Sequence, residues 1–363
     1  MRLLVTLLAC ALTLPAAELA HTDVARWIDS VSGTYERDAQ GHIVAVDLSS
    51  SWISDDDMEL IARLDHLERL NLAYTWISDL GMDRLEPLRN VREIDLRYCD
   101  YLTDGAVIPM KNWSKLEVLN LEGTDVTSRS FEHIANLENL RVLHVGHSRV
   151  EDEGFENLAS LSKLEEIGFG GDKMSGRALP LLKMLPSLKR VVIGGLQRTD
   201  SGLWTVDLTD FNLDRIAELT QLTDLDLHDS KIGDRGLERL EGLQQLERLD
   251  LSGTEIGASG APALAKFQNL ESLRLFGCSE AGDKVASTVR SLAKLQTLDL
   301  AKTALTDKGL AQLEALPALR NLYVSETQVT PDGVAAFRKA NPNVHVSWAE
   351  PAYAVERYKN VAP

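Results

Sequence analysis

The sequence predicts an α/β solenoid, a continuous stack of strand–turn–helix units, and three observations carry that prediction. First, a 24-residue pattern, clearest in Leu295 to Ala318 (LQTLDLAKTALTDKGLAQLEALPA), recurs about a dozen times. Second, Leu295, Leu298 and Leu300 fit a short strand with one buried face, whereas Leu310, Leu313 and Leu316 repeat at helical spacing. Third, a unit this small cannot bury its leucines alone, so the copies must stack. A chain of 363 residues would otherwise suggest two or three domains, a division that a repeat array does not have.

The chain begins differently. Met1 and Arg2 form a minimal basic region, Leu3 to Leu14 is nearly all apolar, and Pro15-Ala16-Ala17 opens a small-residue stretch. Residues 1–20 therefore read as a secretory signal, cleaved between Ala16 and Ala20 and too short to span a bilayer comfortably. This predicts an exported protein of the periplasm, cell surface or medium. Leu7-Leu8-Ala9-Cys10 is similar to a lipoprotein box, but apolar sequence continues past Cys10, which argues against lipidation.

Residues 21–42 are expected to close the N-terminal end of the stack. Thr22 to Val31 reads as a helix with Thr22 as N-cap, an apolar face of Val24, Trp27, Ile28 and Val31, and Gly33 as its stop. Thr34 to Arg37 and His42 to Leu48 read as two strands joined around residues 38–41. Twelve repeats then occupy residues 43–343, beginning at Ile43, Leu67, Val91, Leu116, Leu140, Leu164, Leu188, Leu222, Leu246, Leu270, Leu295 and Leu319. The seventh, residues 188–221, is 34 residues long and carries an insertion. Residues 344–363 are expected to supply a last partial strand, with Trp348 beside it, and a tail.

The ninth position of each repeat forms a ladder: Ser51, Thr75, Cys99, Thr124, Ser148, Asp172, Leu196, Ser230, Thr254, Cys278, Thr303 and Thr327. Small hydroxyls and thiols suit a place where backbone groups need a partner as the strand turns away. Cys99 and Cys278 share that structural role and lie seven repeats apart, on the order of 30 Å at the strand spacing. A disulfide needs Cα atoms within roughly 7 Å, so the two cannot bridge. Asp172 and Leu196 break the ladder immediately before the insertion.

The pattern LxxLxLxxTxIxDxGLxxLxxL, which covers nearly all of the chain after residue 42, resembles the leucine-rich repeat family. The subtype is similar to the threonine- or cysteine-bearing repeats of F-box adaptors and of exported bacterial repeat proteins. No F-box precedes the array, so the ubiquitin-adaptor role does not carry over. The resemblance implies a curved right-handed β-α superhelix with a parallel inner sheet, outer helices, and a partner held on the concave face.

A formal charge of −17, from 55 acidic against 38 basic side chains, argues against nucleic acid and anionic membranes. The acidity keeps a long solenoid soluble; its sharper reading is a basic protein or peptide partner for a monomeric chain. Third, fifth and seventh residues of each strand should face the concave side. Acids dominate the fifth positions of both arms, whereas Gly146, Gly168, Gly170, Gly171, Gly194 and Gly195 leave the middle almost bare. Bare strands let a ligand approach backbone, and His144, His147, Trp204 and Phe211 are expected to border the depression. The competing explanation is that glycine relieves crowding inside the curve.

A second candidate surface lies nearer the N-terminus. Trp52 and Trp76 hold the tenth position of successive repeats and Tyr74 and Tyr98 the eighth, with Tyr101 nearby, so five aromatics should share one rim unless the N-terminal cap covers them. Chemistry is poorly signalled. His144 and His147, three apart on one strand, should turn toward different faces and so make a poor metal pair. No nucleophile elbow, phosphate loop or paired-cysteine motif is found, so neither cofactor, metal nor catalytic residue is expected. Asp55, Asp79, Asp104, Asp152, Asp234 and Asp307 precede helices and read as N-caps rather than calcium ligands. The sequence thus predicts an exported, non-enzymatic binding scaffold, or alternatively an envelope component that self-associates through the aromatic rim.

Overall fold

The computed structural model describes residues 16–199 and 202–348. Residues 1–15 of the expected signal sequence (residues 1–20) and the tail beyond residue 348 lie outside the described residues. Helix α1 (Ala16–Ser30) is already running at Thr22, which is therefore interior and not an N-cap. The alanines and Glu18 upstream are good helix formers and carry the helix backwards. Val24 and Ile28 are fully buried and Trp27 and Val31 pack against the core. The residue that ends the helix in left-handed backbone is Ser32 (φ 62°), not Gly33. Gly33 is needed for space, since a Cβ there would come within 2.6 Å of Leu48 and 2.9 Å of Ile28.

Strands β1 (Thr34–Arg37) and β2 (Ile43–Asp47) form an antiparallel hairpin, and from β2 onward every neighbour in a 14-stranded sheet is parallel. The register runs unbroken past the insertion. Asp47 pairs with Asn71, then Asp95, Asn120, His144, Gly168, Val192, Asp226, Asp250, Arg274, Asp299 and Tyr323 follow in one row. A slip of one residue would turn every leucine outward, so the buried face fixes this register. His345–Ser347 closes the row, with Val346 buried and Trp348 Nε1 donating to the Val329 carbonyl at 3.1 Å. Leucines of the strands and of the outer helices meet in one continuous core; Leu295, Leu298 and Leu300 are all fully buried.

Each strand leaves the sheet through a left-handed residue at the eighth position of its repeat. Ser50, Tyr74, Tyr98, His147, Asp229, Lys302 and Glu326 all have φ between 53° and 60°, and Gly123, Gly171, Gly195, Gly253 and Gly277 fill the remaining places. This conformation costs a non-glycine residue on the order of 1 kcal/mol. Backbone pairing offsets it: the eighth N–H donates to the seventh carbonyl of the next repeat, as from Tyr74 to Arg97 (2.7 Å) and from Lys302 to Ser325 (2.9 Å). Among the described residues this ladder breaks between Gly171 and Gly194, where the insertion begins.

At the ninth position Thr75, Thr124, Ser230, Thr254 and Thr303 each donate to the carbonyl three residues back at 2.6 Å. Cys99 and Cys278 instead reach the previous turn, each donating to a carbonyl at 3.1 Å (Leu72 and Leu251), and both are buried free thiols. Burial pushes both thiols above their ordinary range.

The recurrent aspartates do not cap their own helices. Ser54, Ser78, Thr103, Thr306 and Gly233 occupy those N-caps, and the aspartate that follows reaches into the next repeat. Asp55, for example, takes the N–H and hydroxyl of Ser78, both at 2.7 Å, and Asp307 those of Thr330 at 2.9 and 2.7 Å. Asp152 likewise accepts from the Ser175 and Ala178 amides. Charge-assisted bonds of this kind tie neighbouring repeats laterally.

Candidate functional site

The middle of the inner face holds a cavity of about 650 Å³. His144, His147, Gly146, Gly168, Gly170 and Gly194 line it, so these sequence-predicted central residues come together there, whereas Gly171, Gly195, Trp204 and Phe211 do not line it. His144 and His147 open onto the same cavity rather than onto opposite faces. The left-handed backbone of His147 (φ 55°) leaves the strand period and redirects its ring.

The glycines divide into two kinds. Gly168 and Gly171 receive histidine rings: a Cβ on Gly168 would lie 3.3 Å from His144 Cγ, and one on Gly171 would lie 2.6 Å from His147 Nδ1. Gly146, Gly170 and Gly194 instead meet backbone. A Cβ on Gly146 would stand 2.7 Å from the Gly170 oxygen, while Gly170 and Gly194 would overlap the Gly194 carbonyl and the His228 amide. Crowding inside the curve therefore accounts for these three. Gly168 alone, among the glycines with side-chain neighbours at ordinary φ on this floor, has only a movable imidazole above it.

Charged side chains form the walls. At the third positions Glu166, Arg190, Asp224 and Arg248 alternate across four adjacent strands, with Arg190 3.5 Å from both Glu166 and Asp224, and Arg248 2.6 Å from Asp224. His144 Nε2 lies 2.7 Å from Glu166 Oε1. Burial raises the Glu166 carboxyl, but the His144 hydrogen bond and Arg190 outweigh it and leave Glu166 below its usual range.

His228, which the sequence reading did not single out, stands at the far side of the cavity with Nδ1 2.6 Å from Asp226. Burial works against its charge, yet Asp226 prevails and pushes it up to about 9. Asp226 falls below its usual range for the same reason: the bond to His228 overcomes burial. Asp250 beside it is raised by burial and by Asp226. His147 is pushed down by burial, and the charge on His228 adds to that shift. Two histidines of opposite charge preference thus share one cavity. Its repeat position carried no distinctive signal for His228, whereas the alternating third-position charges are visible once the repeats are aligned.

Asp172, behind the floor, is wholly buried. Its Oδ1 takes the Ser148 amide at 2.7 Å, while its Oδ2 has no partner among the described residues. Burial pushes this carboxyl well above its usual range, against the Ser148 hydrogen bonds that favour its charge. Leu196, the other misfit, is turned outward and exposed.

Among the described residues, the insertion does not line the cavity. Its hairpin, Gln197–Thr199 with Gly202–Trp204, continues into Val206 and Thr209, which bridge to Met174 and Lys231 along one edge of the solenoid. Trp204 consequently borders a cleft with Arg129, Arg149 and Lys173 on that edge, and exposed Phe211 does not line the cavity. Among the described residues no group of His, Cys, Asp or Glu is arranged to hold a metal ion, and no helix is long and apolar enough to cross a membrane.

The predicted rim forms an exposed stack. Trp52 and Trp76 lie 6.0 Å apart at 17°, Tyr74 and Tyr98 5.1 Å apart at 13°, and Tyr101 leans on Trp76 at 5.9 Å. Trp52 is 87% exposed, Trp76 60%, Tyr101 55% and Tyr74 53%, so no described part of the N-terminal cap covers them. Tyr98 ends its stack because it lies over Gly123, and its hydroxyl donates to Glu122 at 3.2 Å. Burial, reinforced by Glu122, pushes Tyr98 up to about 12.

Comparison with known proteins agrees with this architecture. No curated protein shows significant similarity to the chain. An internalin (InlF) from Listeria monocytogenes matches with TM-score 0.55 at 18% identity, over 94% of this chain and 99% of the other. A chain of the yeast Rad7 and Elc1 complex matches with TM-score 0.60 at 17% identity, over 94% and 91%. Identities this low speak for the fold alone. A family described as leucine-rich repeat region matches residues 78–344, and a second, leucine-rich repeat, matches residues 64–85. With that match over most of its length and with its parallel sheet of stacked leucine strands, the chain belongs to the leucine-rich repeat family.

Proposed function

We propose that the chain is an exported, non-enzymatic scaffold that binds a protein or peptide on the inner face of its sheet. One observation supports this reading above the others: a roughly 650 Å³ cavity at the middle of the array, walled by paired charges and floored by backbone. Backbone at the floor accepts a peptide main chain closely, and the charge ladder of Glu166, Arg190, Asp224 and Arg248 supplies orientation. These groups pair with one another, yet buried Arg190 Nε makes no hydrogen bond among the described residues, which leaves the ladder capacity for a charged partner.

The parent protein, as folded and exported, should capture a partner from its own cell envelope. The identity of the captured chain tests the class directly, and cross-links should map to residues around His144, Gly168 and His228. Capture with all cross-links on the outer helices would overturn the inner-face reading. Release of a chemically altered small molecule in place of a retained protein would overturn the scaffold.

A further inference from the structure

We propose that the aromatic edge of the first three repeats is a second docking site, which takes an arginine-bearing segment of a partner protein. The site is independent of the central cavity and goes beyond the inner-face reading. Trp52, Trp76, Tyr74 and Tyr101 together expose roughly 500 Å² of aromatic surface, given about 200 Å² per side chain, which is the size of a functional patch. Trp76 stacks on Trp52 from one side only, and among the described residues no ring covers the other face, which accounts for its 87% exposure.

The row that begins with Trp52 and Trp76 continues at the same repeat position with Asp100. Asp100 is exposed and has no ion-pair partner among the described residues. An open indole face at one end of this row and an unpaired carboxylate two repeats away, beyond Trp76, are matched by a segment that carries more than one planar cation. Arginine fits better than lysine at both ends, because its planar guanidinium stacks on the open Trp52 face and a second one can pair with Asp100 through two N–H groups. The net charge of −17 draws such a segment in.

The same charge disfavours a second copy of this chain as the occupant. An isologous contact of two such patches would bury only about 1,000 Å², the lower limit for a stable interface, between two strongly acidic bodies.

Nona-arginine serves as the probe, titrated into the full chain and followed by calorimetry and by indole fluorescence. Trp52→Ala with Trp76→Ala should weaken its binding at least tenfold, and Asp100→Asn should weaken it severalfold, with thermal melting unchanged. Trp52→Leu keeps apolar surface but removes the ring face, and should weaken arginine binding as much as Trp52→Ala. Nona-lysine should bind less tightly than nona-arginine to the parent and lose little in the tryptophan variants. Peptide binding that is indifferent to Trp52 would mean attraction by net charge alone and would overturn the proposal. Concentration-dependent self-association that Trp52→Ala abolishes would assign the edge to a second copy and overturn it equally. Gly168→Trp should leave nona-arginine binding at this edge intact, so failure here and failure of the inner-face reading are separable.

Discussion

Replacing Gly170 by alanine isolates the crowding of the inner face from any role in binding. The added methyl would overlap the carbonyl oxygen of Gly194, a backbone atom that no rotamer change can move. The strand turns on either side must part. Two flanking backbone bonds resist this, His147 N–H to Gly170 O at 2.8 Å and Gly195 N–H to His228 O at 2.9 Å. Overpacking costs about 1–3 kcal/mol, and weakening two hydrogen bonds adds about 1 kcal/mol each, so the loss should total about 3–5 kcal/mol. Gly168→Ala is the matched control, because its methyl meets only the His144 ring at 3.3 Å and beyond, and stiffening the unfolded chain can even stabilise it slightly. Urea unfolding followed by circular dichroism measures both. Equal midpoints for Gly170→Ala and the parent would refute the argument that backbone contact, rather than ligand, demands this glycine.

Three further outcomes are expected. Thiol titration of the denatured, unreduced chain lacking residues 1–20 should count two sulfhydryls, both slow to react in the native state, and Cys99→Thr or Cys278→Thr should leave stability nearly unchanged; a count of zero in a monomer would contradict the ladder. His228 has its folded pKa raised from 6.5 to about 9, so its contribution is fully present below pH 6.5 and is lost as pH rises toward 9. The unfolding midpoint should accordingly fall over that window in the parent and stay flat in His228→Gln; an unchanged slope would exclude the Asp226 pair as its cause. Asp283→Ala removes the acceptor for the Thr306 amide (2.9 Å) and hydroxyl (2.7 Å), and should lower stability by about 1–3 kcal/mol without changing the steepness of the urea transition.

The fold was legible because its signal is repeated. Leu298 and its equivalents specify one buried face, and twelve copies leave no choice of register for the sheet. The turn was less legible, since tyrosine, histidine, lysine and glutamate at the eighth position do not suggest left-handed backbone. Pairing with the neighbouring turn imposes it, and that pairing exists only once the repeats stack. The same cause misdirected two readings. His147 departs from strand alternation because its own φ is positive, and Asp55 or Asp307 looks like an N-cap within one repeat because its acceptor role lies in the next. Trp204 was misplaced for a different reason. A repeat pattern says where an insertion starts, but the direction of the hairpin is set by bridges from Val206 to Met174 and from Thr209 to Lys231. The stacked rim residues follow directly from their shared repeat positions.

Gly168→Trp tests the binding account most directly, and Gly194→Trp does not serve, because its side chain would collide with the His228 backbone. At Gly168 only the His144 imidazole must swing aside, so the indole enters the cavity while the array stays folded. Titration of the captured partner into parent and variant, with melting curves recorded for both, is the measurement. The account predicts an unchanged melting temperature and at least a tenfold loss of affinity, about 1.4 kcal/mol or more. Undiminished affinity in a folded Gly168→Trp chain would contradict it.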